Sequence, residues 1–477
     1  MKRTTLLYST LLVASALASS CGTPKIIEKQ ASTAALPQAY AQADSTRNIA
    51  DLHWNKYFND PHLVQLIDTA LLHNQELNVM LQEIAISSNE VLARKGEYLP
   101  FVGVRGGAGV EKRSENTPLG ALEREVEIRH GKENPEPMPD FGAALFANWE
   151  IDIWHKLHNA TKAAQLRFLS SVEGKNFMVT NLVAEIANSY YELLALDQQR
   201  IILQQNIALQ ENALTTAKVQ KLATRVTELA VKKFEAELLK TQSLQFEIDQ
   251  HIVETENKLN YLAGRFPQHI ERTTAEFDEN TLAALDAGLP AQLLENRPDV
   301  RQAELSMAAA DLDVKVAKAR FYPSLGISAS IGYQAFNPAY LLKTPQSLVY
   351  SLAGDLMAPL VNKKAIQADY LTANSKQIQS VFEYEQTVLN AYVEVANQLS
   401  KYHNAVEGTR YKNRQVNVLN ESIQIANDLF SAAHADYMEV LTTQRDVLES
   451  KFELIESQKS QYNALVDLYR SLGGGWQ

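Results

Sequence analysis

The chain has 477 residues, 45% apolar and 21% charged, with one cysteine and a formal net charge of -11. That composition suits a folded protein longer than one ordinary domain, and a single cysteine excludes an intramolecular disulfide. The acidic balance argues against a nucleic-acid partner, which would require a basic face.

Lys2 and Arg3 precede an apolar run from Leu6 to Leu17, then the small residues Ala18-Ser19-Ser20 and Cys21. Residues 1–20 read as a signal peptide, too short to span a bilayer stably. Small residues before a sole cysteine resemble the bacterial lipoprotein cleavage box, in which Cys21 becomes the mature N-terminus and carries the lipid. The leucine of that box stands one place early, at Leu17. Gly22 follows the cysteine and is compatible with outer-membrane sorting. Residues 21–50, rich in Ala, Gln, Ser and Thr, read as a lipidated tether, with structure starting near Trp54. Beyond the signal no run of apolar residues is long enough for a membrane-spanning helix, so any crossing must be a β-barrel.

Residues 51–264 form the first of two repeats. A helical stretch ends at Tyr98-Leu99-Pro100 and gives way to alternating segments at about 101–111 and 141–153. In the first, Val102, Val104, Gly106, Ala108 and Val110 share one side, and Gly103, Arg105, Gly107, Gly109 and Glu111 the other. In the second, Phe141, Ala143, Leu145, Ala147, Trp149 and Ile151 alternate with Gly142, Asn148, Glu150 and Asp152. One apolar face and one polar or tiny face suit a strand with lipid outside and water inside. The charged link from Lys112 to Met138 reads as a surface loop. A helical hairpin then runs over about 156–264, poor in glycine and proline and rich in helix formers. A helix from Lys156 to Leu222 would be roughly 100 Å long at 1.5 Å per residue.

Residues 265–289 connect to a second repeat at 290–477. Its helix stops at Phe321-Tyr322-Pro323, its strands fall at about 324–334 and 347–358, and its hairpin at about 363–472. A ladder of Leu441, Leu448, Ile455, Tyr462 and Tyr469 keeps one face of the last helix against a neighbour. Glu185-Ile186-Ala187-Asn188 is answered by Glu394-Val395-Ala396-Asn397. A repeat this long is a duplicated half-protein, not a solenoid unit. Four strands cannot close a barrel and open edges are not tolerated in lipid, so the barrel must be shared between chains. The expected fold is mainly α with a transmembrane β-barrel portion.

These features resemble the outer-membrane efflux factors, the TolC-type exit ducts of tripartite drug and metal pumps, in their lipoprotein branch. Five segments carry the likeness. They are Trp54 to Leu63 around Asp60-Pro61, Trp149 to Trp154, Gly288 to Glu304 with its Arg297-Pro298-Asp299, Tyr437 to Arg445, and Leu472-Gly473-Gly474-Gly475-Trp476. His155 stands where the family has a glycine. The resemblance implies a homotrimer whose twelve-stranded barrel in the outer membrane continues as a periplasmic α-helical tunnel. It also implies a periplasmic adaptor and an inner-membrane pump as partners, and no chemistry, cofactor or metal of the duct's own.

No catalytic constellation stands out. His155 and His158 have the spacing of two ligands on one helical face, but read as solvated or packing histidines. Arg297-Pro298-Asp299 reads as the fixed start of a helix. Tyr98, Phe321, Tyr322 and Trp154 mark strand-to-helix junctions, either as an aromatic girdle or as core. At the hairpin bends, Val226-Thr227-Glu228-Leu229 is set opposite Tyr437-Met438-Glu439-Val440. By resemblance, Glu228, Glu439, Tyr437 and Arg445 form the gate, although Thr442 replaces the family's second acidic residue. The alternative is that the glutamates are ordinary helix-end charges. The leading function is a passive exit duct for small molecules or metal ions. A type I protein secretion duct and a structural periplasmic coiled-coil lipoprotein are the alternatives.

Overall fold

The computed structural model describes residues 23–27, 29, 37–40, 47–273, 287–359, 361, 363–432 and 434–476. Residues 1–20, read from the sequence as a signal peptide, and Cys21 lie outside the described residues. In chain order the main elements are α1 (Pro61–His73), α2 (Gln75–Tyr98), β1 (Phe101–Glu111), α3 (Pro118–Glu125), β2 (Met138–Ile151), α4 (Lys156–Leu222) and α5 (Glu228–Leu262). The second half supplies α6 (Pro298–Ala319), β3 (Ser324–Ala335), β4 (Leu348–Met357), α7 (Lys364–Ser431) and α8 (Tyr437–Ser471). Among the described residues no helix is long and apolar enough to cross a membrane.

The chain divides into two compact units that cut across the sequence repeat, the boundary passing through α2, α4, α6 and α7. One unit holds the strands, a 4-stranded antiparallel sheet in the order β1-β2-β3-β4. Paired residues in such a sheet point to the same side, so register sorts the faces. Val104, Leu145, Ile331 and Tyr350 form one row, and Val102, Ala147, Ala329 and Leu352 another. The opposite face carries the row Gly103, Phe146, Ser330 and Ser351, then Asn148, Ser328 and Ala353. The Ser330 and Ser351 hydroxyls bond at 2.8 Å. Register thus keeps the apolar and polar sets apart across all strands. Phe146 is an exception on the polar face, where it packs beside Phe101 with ring centroids 5.9 Å apart.

Three details differ from the sequence reading. Part of the stretch read as a tether is packed: Tyr40 is buried and stacks on Tyr392 with centroids 5.5 Å apart, and Ile49–Asp51 forms a short helix with Ile49 and Ala50 in the core. β2 begins at Met138, because Pro139 pairs with Val110 at the sheet's end, where a missing N–H is tolerated. The supposed loop between β1 and β2 contains α3, started by Thr117, whose hydroxyl accepts from the Gly120 N–H, and by Pro118. Ion pairs Arg113–Glu123 and Lys112–Glu136 fasten this excursion.

The other unit is helical, and its core is rich in tyrosine. Tyr57 stacks on Tyr469 with centroids 4.2 Å apart, and Tyr191 on Tyr462 at 4.8 Å. Each buried hydroxyl needs a partner. Tyr57 donates to the Leu465 carbonyl, Tyr469 to the Leu52 carbonyl, and Tyr190 to the Asp60 carboxylate. Asp60 also accepts from the His62 N–H and caps α1, with Pro61 at the first helical position.

The two return helices α5 and α8 both have 35 residues and both end at a glycine with positive φ, Gly264 (67°) and Gly473 (91°). A Cβ at Gly264 would collide with the His73 carbonyl, and one at Gly473 with the Asn296 carbonyl. Glycine is required twice over, by conformation and by contact. The residues after those carbonyls are Asn74 and Arg297. Asn74 Nδ2 donates to the Leu262 carbonyl (2.9 Å), and Arg297 Nη1 to the Ser471 carbonyl (2.8 Å). Each half therefore fastens the last turn of its own return helix with a buried donor and a glycine joint.

Arg297 does more. It is 4% exposed, grips Asp299 through two bonds (2.9 and 2.6 Å) and reaches Glu394 at 2.8 Å. Burial alone would lower its pKa, but its bonds to Asp299 and Glu394 raise it above the ordinary arginine value. Asp299 in turn accepts from the Val300 N–H at the start of α6. The Arg-Pro-Asp motif fixes a helix start, as the sequence indicates.

Candidate functional site

The hairpin bends place the gate candidates on helix starts. Glu228 is the first residue of α5, behind Thr227, whose hydroxyl accepts from the Ala230 N–H. Tyr437 is the first residue of α8, behind Asp436. Because α5 and α8 are equally long and end in the same glycine joint, Glu228 stands opposite Tyr437, and Glu439 opposite Ala230. The sequence pairing of Glu228 with Glu439 is therefore two residues out of register. The residues before the two helix starts, Thr227 and Asp436, are the equivalents that equal helix length gives.

The two glutamates also differ chemically. Glu228 pairs with Lys221 across the bend, and the Lys221 hydrogen bond holds its carboxyl below the ordinary glutamate range. Lys221 belongs to the candidate site and was missed in the sequence, since seven residues and a turn separate it from its partner. Glu439 forms no ion pair among the described residues. Its backbone N–H donates to the Asp436 carbonyl at 3.1 Å. Tyr437 is half-buried against an apolar cluster that includes Leu214, Phe234, Phe430 and Leu441 from both hairpins. Arg445 is exposed, and its nearest carboxylate is the adjoining Asp446 at 3.9 Å. The structure brings Tyr437 into the packed bend, and among the described residues Arg445 makes no bond to a neighbouring hairpin.

The strand-to-helix junctions resolve the aromatic alternatives individually. Phe321 is core, 2% exposed and edge-on to Tyr370. Trp154 stacks on Tyr322 at 4.7 Å and donates to the Pro323 carbonyl. Tyr98 lies edge-on to His158 at 4.2 Å. His155 has φ 55°, the left-handed conformation that favours glycine. Asp152, His155 and His158 offer ligand atoms within 4.8 Å of one another. Asp152 is already engaged, however. It accepts from the Leu157 N–H (3.0 Å), the His158 N–H (2.8 Å) and His158 Nδ1 (2.9 Å). Burial alone would raise its pKa, yet these bonds hold its carboxyl below the usual range. The trio serves first as a cap for the start of α4.

The chain matches the outer membrane efflux protein family over residues 66–265 and 289–474. The chain belongs to this family. Among curated relatives, it is 26% identical over 425 residues to the pyoverdine export outer membrane protein OpmQ of Pseudomonas aeruginosa, covering 89% of this chain and 87% of that one. It is 25% identical over 437 residues to the cation efflux system protein CusC of Escherichia coli, covering 90% of each. It is 23% identical over 462 residues to the probable outer membrane lipoprotein SilC of Salmonella typhimurium, covering 94% and 95%. A crystal structure of CusC superposes with TM-score 0.83 at 22% identity, covering 94% of this chain and 99% of that one. The open Neisseria gonorrhoeae MtrE outer membrane channel gives 0.83 at 20%, covering 96% and 99%. This outer membrane efflux protein thus shares the fold of the family's channels: a β-barrel portion joined to α-helical hairpins. It is an outer-membrane efflux component, and its family is one of channels rather than of enzymes.

Proposed function

We propose that this chain is the passive exit duct of a tripartite pump. It works as a homotrimer with a periplasmic adaptor and an inner-membrane pump, and carries small molecules or metal ions outward. The observation that carries the reading is the sheet. Its two faces differ in chemistry, and its edge strands β1 and β4 each have one neighbour among the described residues. In lipid those edges must pair, and three copies closing β1 onto β4 give a twelve-stranded barrel. The Gly- and Ser-rich face then lines a water-filled lumen and the Val-, Leu- and Ile-rich face meets lipid. The relatives named for pyoverdine and for cations support a small-molecule or ion cargo over protein export. Cys21 is the proposed lipid anchor. The proposed gate is formed by Glu228, Glu439, Tyr437 and Arg445 at the hairpin bends, where three copies of each glutamate would make cation-favouring rings.

Interchain crosslinking tests this. In a Cys21→Ala background, cysteines placed along β1 and β4 should give disulfide-linked dimers and trimers, and reconstituted protein should conduct ions. Crosslinks formed only within one chain, or a stable monomer with full β-content, would refute the shared barrel.

A further inference from the structure

A cavity of about 480 Å³ lies between the start of α4 and the end of α6. Lys162, Lys315, Lys318, His155 and His158 line it, with Trp154 and Tyr322, and among the described residues no carboxylate does. That is unusual in a chain with a net charge of -11. Lys315 pairs with Asp311 outside the lining, whereas Lys162 and Lys318 form no ion pair among the described residues. The nearby carboxylate of Asp152 is spent on the α4 backbone and on His158. A divalent metal held by Asp152, His155 and His158 would face three lysines, so the site favours an anion.

Its level in the fold points to the anion's source. β2 ends at Ile151 and α4 begins at Lys156, while α6 ends at Ala319 and β3 begins at Ser324. The cavity is therefore at the rim where strands give way to helices. The stacked Trp154–Tyr322 pair is part of it. Such an aromatic pair beside long cationic side chains is the composition of a headgroup layer. We propose that this cavity binds the phosphate of an anionic phospholipid headgroup at the periplasmic leaflet, an inference that rests on the strands crossing the outer membrane.

The test uses the full chain in mild detergent, incubated with equimolar phosphatidylglycerol and phosphatidylcholine, with retained lipid counted per chain. Wild type should retain phosphatidylglycerol preferentially. Lys162→Ala with Lys318→Ala should weaken that retention about twenty-five-fold, roughly fivefold per lysine. Lys162→Gln with Lys318→Gln should do the same, and Lys232→Ala with Lys240→Ala, on the exposed hairpin, should not. Equal retention of both lipids by wild type, or unchanged preference in both double variants, overturns the proposal. Displacement of the lipid by inorganic phosphate as readily as by fresh phosphatidylglycerol reassigns the site to free phosphate and overturns the lipid source. The heat-induced shift of the barrel on gels separates the two readings. Its loss in wild type defeats the membrane reading, whereas its persistence with no lipid preference defeats only this one.

Discussion

The sharpest test of the sheet is a pair of arginines one residue apart. Ile331 sits mid-strand in the row Val104, Leu145, Ile331 and Tyr350, with relative exposures of 77, 52, 53 and 80% in the isolated chain. Those side chains stay exposed in the single chain, as a row proposed to face lipid should. An arginine on a barrel's lipid face near the midplane costs about 2–4 kcal/mol per chain, or about 6–12 kcal/mol over three copies. Ser330 faces the other way, and Ser330→Arg loses chiefly its hydroxyl bond to Ser351, about 1 kcal/mol. Ile331→Arg should therefore sharply reduce folded protein in the outer membrane and lower the temperature at which the oligomer dissociates on gels. Ser330→Arg should stay near wild type on both measures. Equal losses from the two would mean that the faces are not divided between lipid and water, and the barrel assignment would fall.

Arg297→Ala leaves the buried Ser471 carbonyl and Asp299 without their donor and should cost about 3–5 kcal/mol in urea unfolding followed by helical circular dichroism. Arg297→Lys should restore only part of it, since one ammonium cannot reproduce the bidentate grip on Asp299. Gly473→Ala should destabilise by more than about 1 kcal/mol through the collision with Asn296, and Gly264→Ala likewise with His73. At the bends, Glu439→Gln should weaken cation selectivity in planar bilayers, and Glu228→Gln should add to it; unchanged reversal potentials in the double variant would leave both as helix-end charges. Replacing Tyr437 or Arg445 by Ala should raise the closed-state conductance. Cys21→Ala should abolish acyl labelling of the mature protein.

Periodicity made most of the fold legible. Alternation over ten residues is visible wherever one face is apolar, and two long stretches poor in breakers announce two long hairpins. Strand ends were harder, because Pro137 and Pro139 look like loop punctuation although Pro139 pairs in the sheet. The cap of α3, Thr117-Pro118, was present but lay inside a charged stretch that resembled a loop throughout. The gate residues were placed by resemblance, and the pairing of the two bends that the duplication suggested falls two positions out of register with the helix starts. Contacts across a bend, such as Lys221 to Glu228, depend on the turn's geometry and leave no spacing signature. The equivalence of Asn74 with Arg297 was hidden for another reason: the same carbonyl can be met by an amide or a guanidinium.

The matching glycine joints have a historical consequence. Each half latches its own return helix with its own donor and glycine, while the stacks Tyr57–Tyr469 and Tyr191–Tyr462 join the halves in one core. An ancestor of half this length could have closed the same barrel with six copies. Two copies held in one chain are free to diverge from each other. Each then carries its own buried donor, amide or guanidinium, and its own bend, one with its glutamate tied to a lysine and one whose glutamate has no ion pair among the described residues.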